Sequence, residues 1–236
     1  MQTTLELYTY EIITKEQTDL IQRAAECLAR SFVGVDVSGK WVQEPMVGQL
    51  NINYEDFFEF TKDYLNTIVD QGYCAVAQDS NNEVVGVFAG DTNAPEIIGE
   101  DVFEGSFYDM NVIVHALEDV DKRFLEDYKE RNGKELNDGE IFHLFMIGVT
   151  AEHNRHEIIQ QLGNRLITKA SSQGLKAVLV EATNPKSIRV LEKYHNMKKY
   201  TDVEGNYIVH KYQDNSRLND IPLNTADGTY VLIREL

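Results

Sequence analysis

Ile141-Phe-His-Leu-Phe-Met-Ile-Gly-Val149, followed directly by Thr150-Ala-Glu-His-Asn-Arg-His-Glu-Ile-Ile159, is the stretch whose reading decides the fold. Nine mostly apolar residues rich in β-formers describe a strand buried on both faces. The polar turn after it leads into a helical spacing of apolar residues. Such a junction is a natural anion site, because the first turn of a helix carries unpaired N–H groups at the positive end of its dipole.

Reading downstream, a helix over residues 155–173 buries Ile159, Leu162, Leu166 and Ala170 and stops at Gly174. Residues 176–182 form a second interior strand. A further helix over 185–195 opens at Asn184-Pro185, with Asn as N-cap and Pro pre-set for the first turn. Two closing strands, 198–212 and 229–235, flank a loop over 214–227. Upstream, residues 5–13 read as a strand and 14–32 as a helix with Leu20, Ala24, Cys27, Leu28 and Phe32 inward and Thr14 or Thr18 as N-cap. Gly34, Gly39, Pro45 and Gly48 make 33–53 an irregular loop. A helix over 54–70 presents Phe57, Phe60, Tyr64 and Ile68. Strands over 73–78 and 84–90 are joined by a turn, Asp79-Ser-Asn-Asn-Glu83. Within 91–139 the rhythm Ile113, Leu117, Val120, Phe124, Tyr128 marks an inserted helix that ends at Asn132-Gly133. Neither repeat nor domain boundary interrupts this order, so one α/β domain over residues 1–236 is expected.

The net charge of −17 argues against a general nucleic-acid binder or an anionic-membrane binder, both of which need clustered Lys and Arg. That charge is unevenly spread: residues 91–140 hold 15 acidic and 5 basic side chains, whereas 141–200 hold 4 acidic and 9 basic. The opening strand and helix lie in the basic island of an acidic chain. A polyphosphorylated small ligand would favour that arrangement, and a solvated basic face explains it equally. Cys27 and Cys74 fit two buried thiols in a reducing compartment. The first residues show no secretory pattern, and no apolar run approaches the roughly 18 residues of a membrane span, so a cytoplasmic location is expected.

The order of elements resembles the GNAT superfamily of acetyl-CoA-dependent N-acetyltransferases. Leu144-Phe-Met-Ile-Gly-Val-Thr-Ala-Glu-His153 is similar to the family's fourth strand and the start of its phosphate turn. Glu181-Ala-Thr-Asn-Pro-Lys-Ser-Ile-Arg-Val-Leu-Glu-Lys193 is similar to its fifth strand and following helix, usually written Asn-x-x-Ser/Ala-x-x-x-x-x-Lys-x-Gly-Phe. Glu44-Pro45-Met46 resembles the Glu-Pro-Leu of arylalkylamine and dopamine-type members, and His143 falls where animal arylalkylamine enzymes carry a histidine. The resemblance implies a mixed, mostly antiparallel sheet of about seven strands, splayed between strands 4 and 5 and flanked by helices, with an acidic helical insertion at 91–139 before strand 4. It also implies acetyl-CoA as co-substrate and a small-molecule or peptide amine as acceptor; no nucleic acid, membrane or metal partner is expected from charge, hydropathy and spacing, and the assembly is expected to be a monomer or homodimer.

Residue by residue, the resemblance places Met146, Ile147, Gly148 and Val149 along the pantetheine arm, and Asn184 and Ser187 at the start of the next helix beside the cofactor. The phosphate turn corresponds to Asn154, Arg155, His156, Glu157, Ile158 and Ile159. There the chain departs from the family's Gln/Arg-x-x-Gly-x-Gly/Ala, because both glycines are missing and Glu157 brings a carboxylate toward a pyrophosphate. Arg155 and His156 are side-chain donors that can compensate. The tyrosine that often acts as general acid is replaced by Leu191, with Ser187 or Tyr194 one turn away.

Acetyl transfer to an amine needs a deprotonated amine, held reactants, a donor for the developing oxyanion and a proton for the departing thiolate. Glu44 and His143 are the candidate bases. A solvated carboxylate and a hydrogen-bonded core histidine are the plain alternatives. Trp41, Phe57, Phe58 and Phe60 are candidate acceptor-pocket walls or simply core. His153 and His156 share a His-x-x-His spacing with no evident third ligand. Two functions follow: an N-acetyltransferase, or a binding or regulatory protein of the same fold in which acetyl-CoA binding is weak or lost.

Overall fold

The computed structural model describes residues 8–153 and 156–236, the side chain of His156 excepted. Its main sheet has eight strands: β1 (Thr9–Ile12), β4 (Cys74–Gln78), β5 (Val84–Asp91), β6 (Ile141–Val149), β7 (Ala177–Ala182), β8 (Lys198–Lys199), β9 (Val209–Lys211) and β10 (Gly228–Glu235). They are ordered β1-β4-β5-β6-β7-β10-β8, with β9 also on β10. A separate hairpin joins β2 (Val35–Val37) to β3 (Lys40–Val42). Every pairing in the main sheet is antiparallel except that of β6 with β7.

Helices cover both faces. On one face α1 (Thr18–Val33), α3 (Tyr54–Ile68) and α4 (Met110–Asn132) bury Leu28, Phe57, Ile113 and Phe124, and on the other α5 (His156–Ser172) and α6 (Pro185–His195) bury Leu162, Leu166 and Leu191. The local signals hold at several ends. Asn53 and Asn184 accept N–H bonds as N-caps, and Gly133 closes α4 at φ +66°, a left-handed conformation that costs glycine no steric penalty.

Four expectations change. The tract 33–53 is structured: Gly34 and Gly39 frame the β2–β3 hairpin, and Glu44-Pro45 starts a five-residue helix, α2 (Pro45–Gln49). Helix α1 begins at Thr18 behind Gln17, whose side-chain oxygen is engaged by the N–H and hydroxyl of Thr14. The first closing strand is divided into β8 and β9 by a turn in which Asp202 accepts from the N–H groups of Glu204 and Asn206. This division raises the count to eight strands. Finally, β6 is not buried on both faces, because His143, Phe145, Ile147 and Val149 are only partly covered.

That partial cover has a cause in the sheet. Strands β6 and β7 pair only at Ile141↔Ala177, Phe142↔Val178 and His143↔Leu179, and then part. On its other side β6 stays paired with β5 through a bulge: Ala89 faces Met146, Gly90 faces Leu144, and Phe145 is the extra residue. A one-residue slip exchanges faces, so Phe142 and Leu144 pack toward α5 while Met146 packs toward α1. The bulge needs Gly90. A Cβ there would lie 2.1 Å from the His143 carbonyl oxygen and 2.7 Å from the Phe142 ring.

Candidate active site

The gap between β6 and β7 opens into a cavity of about 630 Å³. On the α1/α3/α4 side its wall is apolar and aromatic, with Phe57, Phe60, Met110, Ile113, Leu117 and Phe145. On the other side it reaches Ile159 at the first turn of α5, and Pro185, Lys186, Ser187 and Arg189 at the start of α6. Met146, Ile147, Gly148 and Val149 all line it. Past His143, the edge of β6 that faces β7 has no strand partner among the described residues, so its peptide groups are open to an extended, amide-bearing ligand. A Cβ at Gly148 would sit 2.9 Å from Ser31 Oγ, so α1 presses directly on this strand.

Glu44 is the N-cap of α2 and is buried in the cavity wall. The Val47 N–H donates to its Oε2 (2.8 Å), while Oε1 is buried without a well-formed hydrogen bond. Burial pushes its pKa up to about 7, against the hydrogen bonds of the cap and of Thr183. A carboxyl poised there can take a proton at neutral pH.

His143 is differently placed. Its Nε2–H donates to Glu181 Oε2 at 2.6 Å. Burial alone would lower its pKa, but the charge and hydrogen bond of Glu181, with Asp91 nearby, raise it. It is therefore held toward the imidazolium form.

At the α6 start, Asn184 Oδ1 accepts from the N–H groups of Lys186 and Ser187, which leaves its amide NH₂ as the part directed elsewhere. Ser187 lines the cavity. Leu191 is fully buried, and Tyr194 packs with the α5/α6 core. At the α5 start the N–H groups of His156, Glu157 and Ile158 belong to the first turn and have no partner within the helix. The Glu157 side chain is exposed, and Ile158 is core against Gly86. Asn154, Arg155 and the His156 side chain lie outside the described residues. Of the aromatics, Phe57 and Phe60 line the cavity, Phe58 stacks on Tyr54, and Trp41 stands 57% exposed on the β2–β3 hairpin. His153 Nδ1 is 3.0 Å from the Tyr8 hydroxyl.

Several groups here escape sequence reading. Glu181 is a lone acid in an otherwise apolar interior strand, and that mismatch was its available signal. Arg30, Lys186 and Arg189 place three cations on the cavity lining, drawn from α1 and α6. A smaller surface hollow of about 330 Å³ beside Asp119, Arg123 and His210 is lined by groups that already bond one another.

No family model matches the sequence, and no curated protein matches it. Solved structures do. A putative arylalkylamine N-acetyltransferase 7 from the yellow fever mosquito Aedes aegypti superposes with a TM-score of 0.68 at 13% identity, over 97% of this chain and 87% of that one. The C-terminal condensation domain of Ebony, solved with beta-alanyl-dopamine, gives 0.64 at 17% identity over 97% and 99%. Drosophila melanogaster polyamine N-acetyltransferase, which catalyses formation of N-acetylagmatine, gives 0.58 at 14% over 97% and 100%. The chain thus resembles the GNAT N-acetyltransferases and has their fold: a mostly antiparallel sheet, parted between its fourth and fifth strands and flanked by helices.

Proposed function

We propose that this chain is an N-acetyltransferase that passes the acetyl group of acetyl-CoA to a primary amine of a small molecule or peptide, by direct attack. The observation that carries this reading is Glu44: a buried carboxyl whose pKa burial raises to about 7, set in the wall of a cavity that opens between two parted strands. That is the environment a base needs to accept a proton from an ammonium group at neutral pH.

The residues present fit coenzyme A. The unpaired edge of β6 from Leu144 to Val149 offers peptide groups to pantetheine amides, the first turn of α5 offers N–H groups to phosphate, and Arg30, Lys186 and Arg189 supply positive charge. These groups stand in for the missing glycines of the turn, with Glu157 exposed. Bound acetyl-CoA supplies an acyl group activated as a thioester. Glu44 takes the proton of the attacking amine, the β6 peptide N–H groups stabilise negative charge on the carbonyl oxygen, and the Ser187 hydroxyl returns a proton to the leaving sulfur. His143 is assigned to holding Glu181, because its Nε2 is engaged by Glu181 Oε2 at 2.6 Å.

An amine with an apolar or aromatic body suits Phe57, Phe60, Phe145 and Met110. Neighbours of the same fold act in amine chemistry, which agrees with this assignment. Both cysteines are free and buried, with thiols pushed up to about 12 by burial, in keeping with a reducing cytoplasm.

Calorimetry with acetyl-CoA and with CoA tests the reading. Micromolar binding that weakens in Arg189→Ala is expected. A binding or regulatory protein, the reading favoured by the glycine-free turn, gives no heat at millimolar ligand.

A further inference from the structure

Phe145 owes its place in the cavity wall to the backbone of β6. Side chains of a regular strand alternate between faces, so Phe145 and Met146 would point to opposite sides of the sheet. The bulge cancels that alternation. Phe145 and Met146 both pack against the α1/α3/α4 core, while Leu144 before them and Ile147 after them pack against the core under α5 and α6. Both residues line the cavity, but Met146 is buried and Phe145 only partly covered. The ring of the extra residue is therefore the more open of the two.

That ring is held in place. Tyr64 of α3 meets it edge-on, with centroids 4.9 Å apart at 64°, and the His143 imidazole lies 5.9 Å away at 53°. Each neighbour is anchored in turn: the Tyr64 hydroxyl donates to Asp91 at 3.1 Å, and His143 Nε2–H donates to Glu181 at 2.6 Å. Asp91 faces His143 across the β5–β6 ladder, so both anchors meet at one register step. The backbone beneath is close as well, since a Cβ at Gly90 would lie 2.9 Å from Leu144 Cα. Phe60, the other partly covered phenylalanine of the lining, is backed by Phe57, Phe103 and Phe107 and belongs to the α3 wall. Phe145 stands instead on the strand that flanks the gap. A ring fixed this way resists a larger ligand, because packed side chains yield to overpacking only at a cost.

We propose that Phe145 is the specificity-determining residue of the acceptor wall: it sets the upper limit on the bulk of the amine's apolar body. This rests on the acetyltransferase reading for the identity of the ligand as an acceptor, but the size limit is a property of binding and is read without acetyl transfer. An apolar pocket discriminates by size through lost or forced contacts, which makes selectivity between two amines of unequal bulk the direct reporter of this side chain.

Titration of 2-phenylethylammonium and of the bulkier 2-(2-naphthyl)ethylammonium at pH 7, each with and without CoA, tests the proposal. Wild type should bind the single-ring amine more tightly. In Phe145→Ala the ratio of the two affinities should move toward the naphthyl amine by about tenfold or more. Phe145→Leu retains most of the apolar packing, so it should fold as wild type does and move the ratio in the same direction by less; it carries the test if Phe145→Ala does not fold. An unchanged ratio, equal weakening of both amines, or a wild type that binds neither amine with or without CoA each overturns the proposal. An unchanged ratio in a protein that binds CoA and both amines overturns the size limit alone. A shifted ratio in a protein that does not bind CoA supports the size limit and overturns the acetyltransferase reading alone.

Discussion

His143 and Glu181 face each other where β6 and β7 begin to part, with Nε2 2.6 Å from Oε2. His143 belongs to the last ladder contact, His143↔Leu179, and Glu181 follows two residues further along β7, so the interaction marks the point at which the ladder ends. A buried carboxylate is accommodated there because the His143 imidazole donates to it.

Removing the imidazole should therefore cost stability. His143→Leu leaves Glu181 buried without its counter-charge, and a loss of about 3 kcal/mol is expected in urea unfolding. In wild type the folded pKa of His143 is raised above its ordinary 6.5. Its contribution is complete below that value and is lost as pH rises through the folded pKa. The stability gap between wild type and His143→Leu should narrow as pH rises above 6.5, and a constant gap contradicts the imidazolium assignment.

Glu44 also loses stability as pH rises, but by gaining a buried charge. Its folded pKa of about 7 exceeds the ordinary 4.5, so the native state loses stability as pH climbs between those values. Glu44→Gln retains an oxygen for the Val47 N–H and removes the charge. It should melt higher than wild type at pH 8, and the difference should vanish near about pH 4.5.

His195 sets the acid limit of the fold. Burial pushes its pKa down to about 4 from 6.5, and its ring rests on Gly163 of α5, where a Cβ would meet Cε1 at 2.2 Å. The native state keeps this imidazole neutral while the unfolded chain protonates it, so stability falls as pH drops from 6.5 toward 4. His195→Gln should flatten the acid limb of thermal melts in that window. Gly163→Ala should destabilise at every pH, by about 1–3 kcal/mol, through overpacking.

The bulge on β6 is the most sensitive backbone feature of the site. Gly90→Ala places a methyl 2.1 Å from the His143 carbonyl. The β5–β6 ladder must shift to admit it, at about 1–3 kcal/mol or more. Amine KM should rise in this variant more than the KM for acetyl-CoA, because Phe145 and His143 move with the bulge.

Much of this was legible in the chain itself. Ile141–Val149 and Pro185–His195 have the bounds that their apolar rhythm and the Asn184-Pro185 start dictate, since each end is set by a local signal. The parting of β6 from β7 came from the family resemblance. Other features depend on partners remote in sequence. The bulge at Phe145 comes from how Gly90 meets Leu144, 54 residues away along the chain. Asp121 looked like one more acid in an acidic helix, and only its burial in the fold pushes its pKa up. The hairpin within 33–53 was hidden because three-residue strands are too short to show alternation.

One measurement bears most directly on the central claim: mass spectrometry of a panel of primary amines incubated with isotopically labelled acetyl-CoA and either wild type or Glu44→Gln. Wild type should transfer label to at least one amine with an apolar or aromatic body. Its kcat/KM should rise with pH through about 7, and Glu44→Gln should be slower by about 100- to 10,000-fold with acetyl-CoA affinity retained. Label transfer at equal rate by Glu44→Gln, or none by a wild type that binds acetyl-CoA, would contradict it.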